Sequence, residues 1–188
     1  MAQIRKNIIT QGTSGSIDRK IVFKQYGDRI IMSAFPDRSK VRLSDKQKKE
    51  NKRFSQAVAY ARSQIADPVS KAEYKSRATG LQSAYNVAIT DFYTPPSIMS
   101  INTAAFNNHK NDPLFIHATD DFKVVSVVVT IAAVDSVILE SDDAVQLDRW
   151  NWEYRLQAPS LPTGKYNIIA QAWDKPGNRA QFEIELSV

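Results

Sequence analysis

The stretch Leu161-Pro162-Thr163-Gly164-Lys165-Tyr166-Asn167-Ile168-Ile169-Ala170-Gln171-Ala172-Trp173-Asp174-Lys175-Pro176-Gly177-Asn178 decides the fold. Tyr166, Ile168, Ala170 and Ala172 recur at every second position, the period of a strand with one buried face. The same alternation returns on both sides: Trp150, Trp152, Tyr154 and Leu156 upstream, and Ala180, Phe182, Ile184 and Leu186 against Gln181, Glu183 and Glu185 downstream. Adding Ile98 to Thr103, Leu114 to Ala118, Val124 to Ala132 and Val137 to Ser141 gives about seven strands, the number of a small two-sheet sandwich.

Leu161 to Tyr166 resembles the tyrosine corner of immunoglobulin-like folds, a turn whose tyrosine hydroxyl bonds back to the backbone. Ile168 stands where an antibody domain has its second cysteine. Ala172 to Asn178 is similar to the A-x-D-x-x-G-N hairpin of bacterial immunoglobulin-like modules. The resemblance covers residues 98–188 and implies a sandwich used for adhesion, spacing or assembly. In that arrangement the strands holding Val124 to Ala132 and Lys165 to Asp174 are neighbours. With Val125, Val127, Val129 and Ile131 inward, Val124, Val128, Ile169 and Trp173 converge on one outer surface, an expected interface with the helical half or another subunit. The competing reading is that a loop of the same domain covers the patch, or that a bulge swaps the buried set.

Ahead of the sandwich the period is helical. Ile21 to Phe23 and Ile30 to Met32, separated by Tyr26-Gly27-Asp28, predict a hairpin closed by Pro36. Ser44 and Gln47 have capping-box spacing, and Phe54, Ala57, Val58, Ala61 and Ile65 form the stripe of a helix reaching Ala66. Asp67-Pro68 starts a second helix that Gly80 stops. Leu81, Ala84, Tyr85, Ala88, Ile89 and Phe92 mark a third, ended by Thr94-Pro95-Pro96. The expected class is therefore multidomain α+β and all-β: a flexible arm over 1–16, a hairpin plus about three helices over 17–94, a linker at 95–97, then a seven-stranded immunoglobulin-like sandwich over 98–188. Gly12, Gly15, the hairpin, Pro36, Ser44, Gln47 and Phe54 resemble the N-terminal region of an uncharacterised bacterial family of unknown function, from which no activity follows.

Charge separates the halves. Residues 1 to 100 hold 18 Lys and Arg against 8 Asp and Glu, and residues 101 to 188 hold 7 against 12, so the net +5 hides a +10 half and a −5 half. The basic cluster is Arg38, Lys40, Arg42, Lys46, Lys48, Lys49, Lys52 and Arg53. Cations in the first turns of a helix oppose its dipole, so the cluster is either a solvated face or an anion or nucleic-acid contact. The chain has no cysteine, which removes disulfides, thiolate nucleophiles and thiolate metal sites. No run of about 18 apolar residues and no signal-peptide pattern occurs, so the expectation is a protein of the cytoplasm, or of a particle assembled there, with no membrane span.

Candidates for chemistry are few. His109 and His117 with Asp112 and Asp120 could form a metal or acid-base site, but solvated or core histidines are the commoner case. Asp120-Asp121 and Asp142-Asp143, with Asp174, could bind calcium at one end of the sandwich; their spacing matches no EF-hand loop, and solvated acidic loops are the preferred reading. Gly12-Thr13-Ser14-Gly15-Ser16 lacks the lysine and the helix of a phosphate loop. The expectation is no enzyme, no cofactor and no metal. It is instead a structural or assembly protein, self-associating or decorating a virion, filament or secretion apparatus. The alternative is a nucleic-acid binder using residues 38–53, with the sandwich as recruitment module.

Overall fold

In the computed structural model, which describes residues 2–4, 12–26, 29–37, 42–161 and 164–187, Ser44 and Gln47 close the capping box reciprocally. The Gln47 N–H donates to Ser44 Oγ at 3.2 Å, and the Ser44 N–H donates to Gln47 Oε1 at 2.9 Å. Helix α1 follows over Asp45–Ala66. Ala57 and Ala61 are buried, but every residue from 42 to 56 is exposed, including Phe54 at 53%. The apolar stripe thus begins one turn later than its spacing suggests. Its packing lies in its second half, where Ala57 and Ala61 are buried and Tyr60 reaches Phe92 and Tyr74, with the Arg53 guanidinium over the Tyr93 ring just before.

Asp67 caps α2 (Pro68–Arg77) by accepting from the Ser70 N–H at 2.9 Å and the Val69 N–H at 3.4 Å. Ser83 caps α3 (Ala84–Tyr93). Leu81, expected on the α3 stripe, lies before the cap and is fully exposed. Helix α2 itself ends before the expected stop at Gly80, at Arg77 with the extended Ala78 as its C-cap, and Gly80 at φ +58° lies in the turn that follows.

The chain divides into two compact units, Met1–Lys48 and Lys49–Val188. The double proline, expected to mark a domain boundary, lies inside the second unit, where Pro96 is buried. In the first unit the hairpin grows into a four-stranded antiparallel sheet of order β1-β4-β3-β2, from β1 (Ala2–Ile4), β2 (Gly15–Ile17), β3 (Ile21–Tyr26) and β4 (Arg29–Ala34). Some of the expected arm is therefore strand. Asp18 and Arg19, both at φ +48°, make the tight primed turn that joins β2 to β3, with the Lys20 N–H donating to the Ile17 carbonyl.

The second unit holds two four-stranded antiparallel sheets. One is β5-β6-β10-β9, from β5 (Ser97–Asn102), β6 (Pro113–Thr119), β9 (Val145–Gln146) and β10 (Asn151–Arg155). The other is β12-β11-β7-β8, from β7 (Val124–Ala133), β8 (Ile138–Asp143), β11 (Lys165–Asp174) and β12 (Arg179–Ser187). This is an immunoglobulin-like sandwich, with eight described strands where seven were expected. Leu114, Ile116, Val127, Val129, Ile131, Trp152, Tyr154, Leu156, Tyr166 and Ile168 fill its core. The Tyr166 hydroxyl is buried with no partner among the described residues, so the bond expected of a tyrosine corner is not made there. Residues 162 and 163 of that turn lie outside the described residues. Among the described residues no helix is long and apolar enough to cross a membrane.

Strand β7 corrects the expected face. Trp173 pairs with Ser126 and Asp174 with Val124, leaving Val125 as the extra residue of a bulge. The bulge inverts the alternation locally: Val124 is 4% exposed and belongs to the core, whereas Val125 is 45% exposed. Ile168→Ala is expected to cost about 2–5 kcal/mol in urea unfolding followed by tryptophan fluorescence. Val124→Ala is expected to cost more than Val125→Ala, and the opposite order would refute the bulge.

Candidate functional site

Where α3 ends, its last carbonyls lack a donor four residues on, apart from the Thr94 N–H that caps the helix by donating to the Thr90 and Asp91 carbonyls at 3.1 and 3.3 Å, and a further donor comes from the sandwich. Asn178, in the turn between β11 and β12, supplies it: its Nδ2 donates to the Phe92 carbonyl at 3.2 Å and the Asp91 carbonyl at 3.4 Å. Asn178 is itself held by Asp174. The Asn178 N–H donates to Asp174 Oδ1 at 2.6 Å, and its Nδ2 donates to Oδ2 at 2.7 Å. The A-x-D-x-x-G-N signature thus joins the helices to the sandwich within the second unit. Lys175 of the same turn donates to Ser70 Oγ at 2.9 Å and Glu73 Oε2 at 2.7 Å on α2, holding the Glu73 carboxyl below its usual range. Phe122 adds a third link by stacking on Tyr74 at 4.1 Å.

These links converge on Asp91, Asp120 and Asp174, which each offer a carboxylate oxygen within 4.8 Å of the other two. Asp91 is 1% and Asp174 2% exposed, and Asp120 is half-buried. Asp91 Oδ2 accepts from the Tyr74 hydroxyl at 2.5 Å. Because that proton is committed, Tyr60 donates to the Tyr74 oxygen at 2.7 Å. Asp120 Oδ2 accepts from the backbone N–H groups of Phe122 and Lys123 at 2.9 and 2.7 Å. Asp91 Oδ1 and Asp120 Oδ1 are buried with no partner among the described residues. Among those residues no ion pair reaches any of the three carboxylates, since Lys175 pairs with Glu73.

Burial dominates the electrostatics. It pushes Asp91 up to about 7, with Asp120 and Asp174 adding to the shift and the Tyr74 bond and Lys175 opposing it. Burial likewise raises Asp174, against the Asn178 bonds, and raises Tyr60 to about 12. Oxygen donors alone, three of them anionic, are the ligand set of a hard cation.

The expected acidic pairs are split. Asp120 and Asp174 join the cluster, but Asp121, Asp142 and Asp143 are exposed and outside it. Neither histidine belongs to it. His117 Nδ1 lies 3.0 Å from Asn151 Oδ1, and His109 is exposed in a loop that Asp112 organises by accepting from two backbone N–H groups. Asp91 was missed in the sequence, although it sits at i+7 on the buried stripe of Ala84 and Ala88, where a carboxylate is out of place.

The basic residues take a different course. Arg38 and Lys40 lie outside the described residues. Arg42, Lys46, Lys48, Lys49, Lys52 and Arg53 are all exposed. Lys48 pairs with Asp45 at 2.9 Å, and the Arg53 guanidinium lies 4.6 Å from the centre of the Tyr93 ring. On the outer face of β7 and β11, Val128, Ile169 and Trp173 are half-buried, interleaved with Thr130, Asn167 and Gln171. Without Val124 the expected four-residue apolar patch is not formed.

No family model and no curated protein sequence matches the chain. Solved structures match about half of it. CopC from Methylosinus trichosporium OB3b is 15% identical over 50% of this chain and 92% of its own, with a TM-score of 0.38. The PKD domain of human VPS10 domain-containing receptor SorCS2 is 14% identical over 50% and 75%, with a TM-score of 0.28.

A folded value near 7 against an unfolded value near 3.8 means that folding favours protonated Asp91. The stability this contributes is complete below about pH 4 and is lost as pH rises through 7. In chelator-treated buffer, wild type should therefore lose stability relative to Asp91→Asn between about pH 4 and pH 8. The groups facing Asp91 are Tyr60, Tyr74, Asp120, Asp174 and Lys175. Chemical unfolding at a series of pH values reads the difference directly, and a pH-independent gap would contradict it.

Proposed function

We propose that the chain is a non-catalytic assembly protein in which an immunoglobulin-like module carries a small sheet that completes itself against a second copy. The observation that carries this reading is the composition of that sheet's two faces. Cross-strand partners share a face, so the pairs Ile17–Ile21, Phe23–Met32 and Gln25–Ile30 define one side of β2, β3 and β4. Among the described residues of the first unit only Ile30 is buried; Ile17 is 61% and Ile21 37% exposed. Among the described residues that side is covered at Ile30 and left exposed at Ile17 and Ile21, the end of the sheet that a second copy would cover.

A second reading is favoured by α1. Its first turns carry Lys46, Lys49 and Arg53 along one row and Lys48 and Lys52 along another, with every side chain there exposed. Lys48 pairs with Asp45 and Arg53 lies over the Tyr93 ring, but the cluster is exposed throughout, and such a row of exposed cations fits a polyanion such as RNA or DNA.

Salt separates the two with opposite signs. The first unit holds 11 Lys and Arg against 4 Asp and Glu, so bringing two copies together repels, and screening should strengthen self-association. Nucleic-acid binding weakens as salt rises. Light scattering coupled to sizing, with the 260/280 nm ratio, should show a nucleic-acid-free multimer that grows with salt. It should become a monomer in the Ile17→Lys, Ile21→Lys double variant while near-ultraviolet circular dichroism, which reports the tryptophans of the second unit, is unchanged. A species that instead carries nucleic acid, shrinks with salt and is lost on changing Lys48, Lys49 and Lys52 to Glu would overturn the assembly reading for the second.

A further inference from the structure

We infer that Asp91, Asp120 and Asp174 bind one calcium-class divalent cation, which fastens α3 and the β11–β12 turn to the loop between β6 and β7. Three observations carry it. The carboxylates come from three separate elements, yet one oxygen of each lies within 4.8 Å of the others, inside the roughly 5 Å that two oxygens span across a Ca²⁺ ion at 2.3–2.6 Å. Asp91, at 1% exposure, keeps Oδ1 buried and unpartnered among the described residues, and so does Asp120 with its Oδ1. A buried acceptor with no donor costs about 1–3 kcal/mol, more when charged, and a cation at this place satisfies both oxygens at once.

The neighbouring bonds leave Oδ1 of Asp91 and of Asp120 free, whereas both oxygens of Asp174 accept from Asn178, so a cation would share Asp174 with that amide through the second lone pairs of its oxygens. Tyr74 takes only Oδ2 of Asp91, and the Phe122 and Lys123 N–H groups take only Oδ2 of Asp120. These bonds hold each carboxylate in one orientation, as the donors behind metal-ligating side chains do. The nearby ammonium of Lys175 is engaged by Ser70 and Glu73. Hard oxygen donors without nitrogen or sulfur suit Ca²⁺ rather than zinc or copper. Asp120 is half-buried and also lines a cleft of about 240 Å³ beside Glu73, Phe122 and Trp150, which gives an ion a way in. The inference is independent of the assembly reading.

The test is calcium titration of chelator-treated wild type at pH 7.5, by calorimetry and by thermal unfolding. One saturable site is expected, with affinity on the order of 0.1–1 mM or tighter, and a thermal shift larger than magnesium gives. Asp120→Asn should weaken binding about tenfold or more, and Asp121→Asn, one residue away but exposed, should not. Should Asp120→Asn fail to fold, amide exchange of the wild type decides: calcium should slow exchange in α3 and in the turn at Lys175 to Asn178 more than in β2 to β4. The absence of heat and thermal shift in the wild type would overturn the site. So would a response that magnesium reproduces in full, or one that a folded Asp120→Asn retains. Uniform exchange protection would overturn it as well.

Discussion

The second unit depends on how a buried acidic side chain on a helix is accommodated. Asp91 occupies a position of α3 that Ala84 and Ala88 mark as core-facing, and a carboxylate there costs more than any single apolar contact returns. The arrangement around it reads as compensation: Tyr74 donates from α2, Tyr60 extends the chain from α1, and Asn178 donates to carbonyls at the same helix end. Each partner belongs to a different element. The bonds drawn to one residue therefore tie three helices and one hairpin together with a direction that a purely apolar contact lacks, while its Oδ1 has no partner among the described residues.

The same logic explains why the double proline is not a hinge. Proline pairs end helices because the preceding residue is driven out of the helical region, and α3 does stop at Tyr93. Ending a helix is a local event, whereas separating domains requires that few contacts cross the boundary. Here Phe122 stacking on Tyr74, Lys175 bonding to α2 and Asn178 bonding to α3 all cross it. Helices and sandwich share one unit, so the change of period from helical to strand marks a change of element only.

The sequence made some features legible and hid others for definite reasons. The capping box, the Asp67 cap and the strands read at Trp150 to Leu156 and Tyr166 to Ala172, which the structure places at Asn151–Arg155 and Lys165–Asp174, were readable because each depends on spacing within a few residues. The faces of Val124 and Val125 were not, because a bulge depends on the partner strand, and two adjacent valines give alternation nothing to register against. Phe54 and Leu81 matched helical stripes but found nothing to pack on, since a period names a face and not its partner. The aspartate cluster was half visible. Asp174 stands in a hairpin signature and Asp120 in an acidic pair, but that Asp91 joins them across 83 residues of chain follows only from the packing.

The strand period keeps the cations of the first unit apart from one uncharged side of its sheet, where Ile30 is buried, Phe23 and Met32 are half-buried, and Ile17 and Ile21 are exposed. On β2, β3 and β4 the side carrying Ile17, Ile21, Phe23, Ile30 and Met32 has no charged residue, whereas Lys24 and Arg29 fall on the other side. A face free of charge can be buried without desolvating a cation, so its closure is governed by apolar area, and the cations contribute only long-range repulsion that salt weakens. Had one lysine fallen among those five residues, burial would demand a paired anion, and two copies of a basic sheet could not supply one to each other. The side that holds Ile17, Ile21 and Phe23 thus carries apolar residues without charge, whereas the opposite side mixes Lys24 and Arg29 with the half-buried Val22 and Ile31.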